Sequence, residues 1–204
     1  MRIAMIGAGN VGGTLGRRFA ELGHDVTFGL REGSDVKGGT PPRARTATVA
    51  DAVKGAEVVV LATPWGAVAD AIDEMGPLGG KVLIDATNPL TAGLTLDVGP
   101  RGESGAERVA ALAAGARVVK AFNTTGFNNM ADPVYDGAPT LMLVAGDDRA
   151  AKDAALRLAR ELGFDAVDAG PLTRARELEH LAMLWISLAY GGLGRDIAFR
   201  LVRR

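Results

Sequence analysis

At 204 residues, 48% of them apolar, the chain has material for one core and is too hydrophobic to be disordered as a whole. A formal charge of −1 with no basic block argues against a nucleic-acid partner, and the lack of any cysteine excludes disulfides, thiolate nucleophiles and cysteine-held metals. No apolar run reaches bilayer length, and the first residues enter a strand pattern at once, so we expect a soluble, cytoplasmic protein without a leader.

Arg2–Ile6 predicts a strand, and Asn10–Leu22 an amphipathic helix that Gly23 stops. Between them stands the turn Gly7-Ala-Gly9-Asn10-Val11-Gly12, a Gly-x-Gly-x-x-Gly motif. Gly7 permits the tight exit from the strand, Gly9 admits a pyrophosphate close to the backbone, and Gly12 lets the helix pack on the strand. The N–H groups that open the helix then face an anion. Alone the motif is a weak signal. Its place after an apolar strand, and before a helix leading to a second strand at Asp25–Leu30, makes it a strong one.

Glu32–Thr46, rich in Gly, Pro and Arg, reads as a surface loop. Glu57–Ala62 is a continuous apolar run, as in a strand covered on both faces, and Pro64 suits the first turn of the next helix. Lys81–Ala86 is a further strand followed by a long loop, after which Ser104-Gly-Ala-Glu107 forms a capping box for a helix ending at Gly115. Arg117–Phe122 is the next strand, with a second long loop through Pro139. A strand at Thr140–Ala145, a helix from Asp148 to Gly163 and a short strand at Phe164–Asp168 complete the alternation. Thr173 is expected to cap a long helix through Tyr190, interrupted at Gly191-Gly192 and resumed to Leu201.

This order predicts an α/β fold, a Rossmann-type doubly wound and mostly parallel sheet with helices on both faces. It assigns residues 1–170 to a dinucleotide-binding domain and 171–204 to a C-terminal helical segment. Leu178, Leu181, Leu184, Trp185, Ile186 and Leu188 occupy more than one stripe of that segment. We read them as a homodimer interface, with a helix capping the sheet as the alternative.

Ligands of such sheets sit outside the carboxyl ends of the strands. There the chain supplies Gly7–Gly12, Leu30-Arg31, Ala62–Trp65, Thr87-Asn88-Pro89 and Ala121-Phe122-Asn123. None of these offers a nucleophile triad, paired carboxylates or a metal-ligand set, so no catalytic or metal-binding residue is assigned. Hydride transfer needs none, only two rings in contact with water excluded. Arg31 can grip a 2′-phosphate through two donors and Ser34 can add a hydroxyl, which favours NADP. Glu32 would repel that phosphate or bind a ribose, which leaves NAD open. His24 reads as structural, and His180 as a surface or interface group with substrate contact as the alternative. Asp85 is expected to accept from loop N–H groups, and Trp65 fits a cofactor wall as well as ordinary packing.

Gly7-Ala-Gly-Asn-Val-Gly12, Ala62-Thr-Pro-Trp65, Ile84-Asp-Ala-Thr-Asn-Pro-Leu90 and Val119-Lys-Ala-Phe-Asn-Thr124 together resemble the coenzyme F-420-dependent NADP oxidoreductases. The cytosolic domains of STEAP metalloreductases resemble that family too. The likeness covers nearly the whole chain. It implies a Rossmann domain that passes hydride between NADP(H) and a deazaflavin ring. By that analogy Gly9, Asn10, Val11 and Gly12 hold the pyrophosphate and Arg31 the 2′-phosphate, while Thr63 and Pro64 border the dinucleotide. Asn88-Pro89 and Ala121-Phe122-Asn123 lie near the nicotinamide and the second ring. The family often carries Ser-Arg-Arg where this chain has Leu30-Arg31-Glu32. The alternatives are an NADPH-dependent flavin or ferric reductase and a non-catalytic NADP(H)-binding sensor.

Overall fold

Alternation of apolar side chains along the strands divides the molecule into two cores, one on each side of a single sheet. The computed structural model describes residues 1–204. In β1 (Arg2–Ile6), Ile3 and Met5 enter one core while Ala4 and Ile6 enter the other. α1 (Asn10–Glu21) buries Leu15, Phe19 and Ala20 on the first side. β2 (Asp25–Leu30), β3 (Ala44–Thr48) and α2 (Val49–Lys54) follow, then β4 (Val58–Leu61), every residue of which is buried. After a short 3-10 turn at Trp65–Ala67 come α3 (Val68–Met75), β5 (Val82–Asp85), α4 (Gly105–Leu112) and β6 (Arg117–Lys120).

The chain continues through α5 (Phe127–Ala131), the two-residue strands β7 (Val134–Tyr135) and β8 (Ala138–Pro139), β9 (Leu141–Gly146), α6 (Arg149–Glu161) and β10 (Asp165–Gly170). A 3-10 turn at Leu172–Arg174 leads into α7 (Ala175–Leu188). Side chains of α1, α5 and α6 fill the first core, and those of α2, α3, α4 and α7 the second.

The main sheet runs β10-β9-β6-β5-β4-β1-β2-β3. Every pair is parallel except β6 with β9, so the carboxyl ends of β1 to β6 share one rim while β9 and β10 run the other way. The strand order reverses between β1 and β4. That switch point is where an open sheet leaves a crevice.

Several expectations are corrected. The loop read over Glu32–Thr46 runs into β3, a parallel edge strand that is mostly exposed and so lacks an apolar signature. The loop read before Pro139 contains α5 and a hairpin turned by Asp136 and Gly137, both with positive φ. Pro64 does not enter a helix; at ψ 145° it precedes the 3-10 turn. Thr173 does not cap α7, which starts behind a 3-10 turn without a side-chain cap.

The helix expected to resume to Leu201 is absent. A π turn at Ala189–Leu193 contains Gly192 at φ 119°, and Gly194 follows at φ 73°. These turn the chain back across the domain. Ile197 O accepts from Trp185 Nε1 and Asn129 Nδ2, each at 2.7 Å, and Phe199 O accepts from the Leu141 N–H at 2.9 Å.

Candidate functional site

The rim crevice between β1, β2 and β4 is a cleft of about 310 Å³. Gly7, Gly9, Leu30, Arg31, Ser34, Thr63 and Pro64 line it. Gly7 takes φ 98°, and a Cβ there would meet Ala62 O at 2.5 Å. A Cβ on Gly12 would meet Gly7 O at 1.8 Å, so the turn closes only with glycine at both places. Gly9 differs. Its imagined Cβ has no neighbour within 4 Å, so that position opens onto the cleft.

α1 begins at this turn with no side-chain cap and no acid in its first turn. By contrast, Thr48, Ser104 and Asp148 cap α2, α4 and α6. Asn10 and Val11 thus stand at a helix start that attracts an anion and has none from the chain. Thr63 adds an unanswered group, since its Oγ1 is buried on the same cleft without a hydrogen-bond partner. An open glycine, an uncapped helix and a spare hydroxyl form a cradle that fits a dinucleotide pyrophosphate.

At the β2 end Arg31 is already engaged. Its Nε lies 3.0 Å from Glu74 Oε1 and 3.2 Å from Oε2, with Glu74 reaching over from α3. Glu32 is exposed and does not line the cleft, whereas Lys37 and Asp35 do. Sequence reasoning passed over Lys37 because it sits in a stretch read as plain loop. The Lys37 N–H donates to Ala8 O at 2.9 Å, so that loop is tied to the glycine turn.

The other strand ends form a second part of the rim. Asn88 and Asn123 clasp each other, Asn88 Nδ2 donating to Asn123 O at 2.9 Å and Asn123 Nδ2 to Asn88 Oδ1 at 3.0 Å. Asn123 Nδ2 also donates to Leu178 O at 3.2 Å, leaving Asn123 Oδ1 buried without a partner. Pro89 is buried behind this pair against Gly105. Ala121 and Phe122 are fully buried, and the Phe122 ring meets Phe19 edge-on at 6.2 Å in the first core. Only the Phe122 backbone, held at φ 64°, belongs to the rim; its side chain is not available to face a cofactor ring.

Beneath the clasp lies an ion cluster that the sequence did not announce. Lys120 Nζ is 2.9 Å from Asp85 Oδ2, 3.0 Å from Glu179 Oε1 and 2.7 Å from Thr87 O. Burial alone would lower the Lys120 pKa, and the Asp85 and Glu179 carboxylates outweigh it, leaving it raised. Glu179 also accepts from the Gly105 and Ala106 N–H groups, and Asp85 from the Thr87 N–H and hydroxyl. Asp85 is thus an anchor of the rim loop, in line with its expected role.

Trp65 does not swing free as a cofactor wall. Its Nε1 donates to Asp97 Oδ2 at 2.9 Å and the Arg108 guanidinium stacks 4.7 Å from its ring; the Trp65 hydrogen bond and that of Arg108 to the same carboxylate, at 3.0 Å, hold the Asp97 carboxyl below its ordinary pKa. His24 bridges the N-terminus and Glu161, and His180 Nδ1 pairs with Arg176 O on an exposed face.

Comparison with known proteins supplies context. Residues 2–89 match the family described as NADP oxidoreductase, coenzyme F-420-dependent. The crystal structure of a candidate F-420-dependent NADP reductase from Arthrobacter sp. FB24 superposes over 100% of both chains, with a TM-score of 0.89 and 33% identity. Metalloreductase STEAP3 of Rattus norvegicus is 30% identical over 89% of this chain, which spans 36% of that relative's length. A reductive aminase from Aspergillus terreus, solved with NADPH and ethyl levulinate, shares the fold at 21% identity and a TM-score of 0.67, over 93% of this chain and 61% of its own. No helix in the chain is long and apolar enough to cross a membrane.

Proposed function

This chain belongs to the coenzyme F-420-dependent NADP oxidoreductase family, and on that premise we propose that it exchanges hydride between NADP(H) and a deazaflavin coenzyme. The observation that carries the reading is the open Gly9 at an uncapped helix start, beside the unpartnered Thr63 hydroxyl. In this reading the N–H groups of Asn10, Val11 and Gly12 receive the pyrophosphate. Thr63 and Pro64 border the dinucleotide, and Arg31 with Ser34 takes the 2′-phosphate.

When bound, the nicotinamide and the deazaflavin supply the hydride chemistry, which passes directly from ring to ring. The chain supplies alignment and a dry rim. The Asn88–Asn123 clasp fixes the second part of that rim, and the Lys120 cluster below holds the loop that carries Asn88. No side chain needs to move a proton during the transfer, so we assign no catalytic acid or base and no metal. Residues 1–170 form the binding unit in this proposal. Residues 171–204 assemble a homodimer through the exposed Leu184, Leu188, Tyr190 and Leu193, in a cytoplasmic protein.

The likeness to metalloreductases favours one second reading, reduction of a flavin or a ferric chelate by NADPH. Anaerobic turnover with NADPH and the deazaflavin, flavin mononucleotide or a ferric chelate in parallel separates the two. Deuterium on the transferring face of NADPH should appear on the reduced deazaflavin, and solvent hydrogen there would rule out direct transfer. Replacing His180 with Gln should slow turnover far less than the 10²- to 10⁴-fold, in order of magnitude, expected for a true acid or base. Tight NADPH binding without turnover on any acceptor would point to a sensor.

A further inference from the structure

Four charged residues line the cleft at the β2 end: Arg31, Lys37, Asp35 and Glu74. Their formal charges cancel. A 2′-phosphate brings about −1.5 to −2 at neutral pH, so a cleft of zero net charge offers it little general attraction. Arg31 is its best ligand by shape, yet Glu74 occupies the Nε side of that guanidinium at 3.0 Å. The pair is close to half exposed, at 44% for Arg31 and 42% for Glu74, and exposed pairs are weak enough to exchange. Lys37 forms no ion pair, and its backbone bond to Ala8 carries it beside the glycine turn.

We propose that Glu74 is a specificity-determining residue that competes with the 2′-phosphate for Arg31, with Lys37 as the second cation of the phosphate site. The inference rests on the dinucleotide reading above and deepens it. A cofactor with a bare 2′-hydroxyl leaves the Arg31–Glu74 pair undisturbed. A cofactor with a 2′-phosphate must displace Glu74 from the guanidinium and then sit near its charge. Glu74 therefore narrows the gap between NADP(H) and NAD(H) that Arg31 and Lys37 open. The chain keeps one arginine where its family often has two, and it spends part of that arginine on an acid from α3.

Calorimetric titration of the full chain with 2′,5′-ADP and with ADP tests this directly, because the first carries a 2′-phosphate and the second a bare 2′-hydroxyl, so each variant's effect is read on both. Glu74→Gln should tighten 2′,5′-ADP about three- to tenfold, the scale of one nearby exposed charge, and shift ADP by less than about twofold. Lys37→Ala should weaken 2′,5′-ADP about tenfold with ADP again little changed. Asp35→Asn removes an equal charge that does not hold Arg31, and should give a smaller gain than Glu74→Gln. A gain from Asp35→Asn as large as that from Glu74→Gln would overturn competition for Arg31. So would an unchanged or reduced preference for 2′,5′-ADP in Glu74→Gln, provided the melting temperature shows the variant folded. A parent that binds neither probe would remove the dinucleotide site, and this inference with it.

Discussion

Lys120 of β6 and Glu179 of α7 meet at 3.0 Å with both side chains out of solvent. Through this contact and the 2.9 Å approach of Asp85, one cation ties the C-terminal helix to two neighbouring strand ends. The second charge of the two carboxylates is spread over the N–H groups of Gly105, Ala106 and Thr87. A buried cluster of this kind is fragile to the loss of one member, because what remains is an uncompensated charge.

Lys120→Met should therefore destabilise the fold by about 3–5 kcal/mol, seen as a lower urea midpoint. The pH dependence has a definite sign. The folded-state pKa of Lys120 lies above its ordinary 10.5, so its contribution is fully present below pH 10.5 and lost as pH rises through the folded value. Parent stability should fall above pH 10.5 by more than that of Lys120→Met.

Acid acts elsewhere. Arg176 grips Glu107 at 2.7 Å, and this pairing, opposed by burial and aided by the Ser104 capping box, brings the Glu107 pKa from 4.5 down to about 2. The contribution is complete above pH 4.5 and disappears as pH falls through about 2. Arg176 is nearly half exposed, so solvent screening limits the effect to about 1–2 kcal/mol. Glu107→Gln should flatten the stability profile across that window in denaturation runs at stepped pH.

The second and third glycines of the turn should fail in different ways. Gly9→Val places its branches in open space, so the melting temperature should hold while NADPH binding is abolished. Gly12→Val drives a side chain into Gly7 O and should lower the melting temperature or leave the chain insoluble. Equal NADPH affinity in Gly9→Val and the parent would contradict the site.

Arg31→Ala should weaken NADPH about tenfold or more, the scale of a hydrogen bond to a charged group, and leave NADH nearly unchanged. Fluorescence titration with both cofactors measures this. An equal loss for both would place Arg31 on the ribose or the pyrophosphate.

Assembly is tested on α7. Trp185 is 4% exposed and belongs to the interior, so polar replacement there would damage the monomer itself. Leu184 and Leu188 are 51% and 37% exposed, and changing both to Gln should convert a sedimenting dimer to a monomer. A parent that sediments as a monomer would sink the dimer.

The residues explain how far the sequence could be read. Val58–Leu61 and Val82–Asp85 are buried throughout, and continuous apolar runs announce such strands, so the parallel centre of the sheet was legible. The Gly7–Gly12 turn was legible because Gly7 and Gly12 leave no room for a Cβ, while Gly9 stands open on the cleft at the spacing the motif sets. β3 was not, since an exposed edge strand of Ala, Arg and Thr has no apolar pattern to show. The Asp136-Gly137 hairpin carried a turn signature that a plain loop reading overlooked. The Glu74 contact with Arg31 and the Glu179 contact with Lys120 join residues 43 and 59 positions apart, and nothing local marks either. At the C-terminus apolar spacing suggested more helix, but Gly192 and Gly194 at positive φ turned the chain away.

That turn has a bearing on how the protein is made. Asn129 and Trp185 each donate to Ile197 O, so the Trp185 indole finds its partner, and Asn129 one of its partners, in a segment that leaves the ribosome after the strands and helices of the domain. The sheet can pair before then, and Glu179 can already hold the start of α7, but Asn128, Asn129 and Trp185 lack their last ties until residues 195–199 emerge. A nascent chain paused just short of them should remain open to proteases at the Trp185 end of α7, with the glycine turn and its sheet already closed.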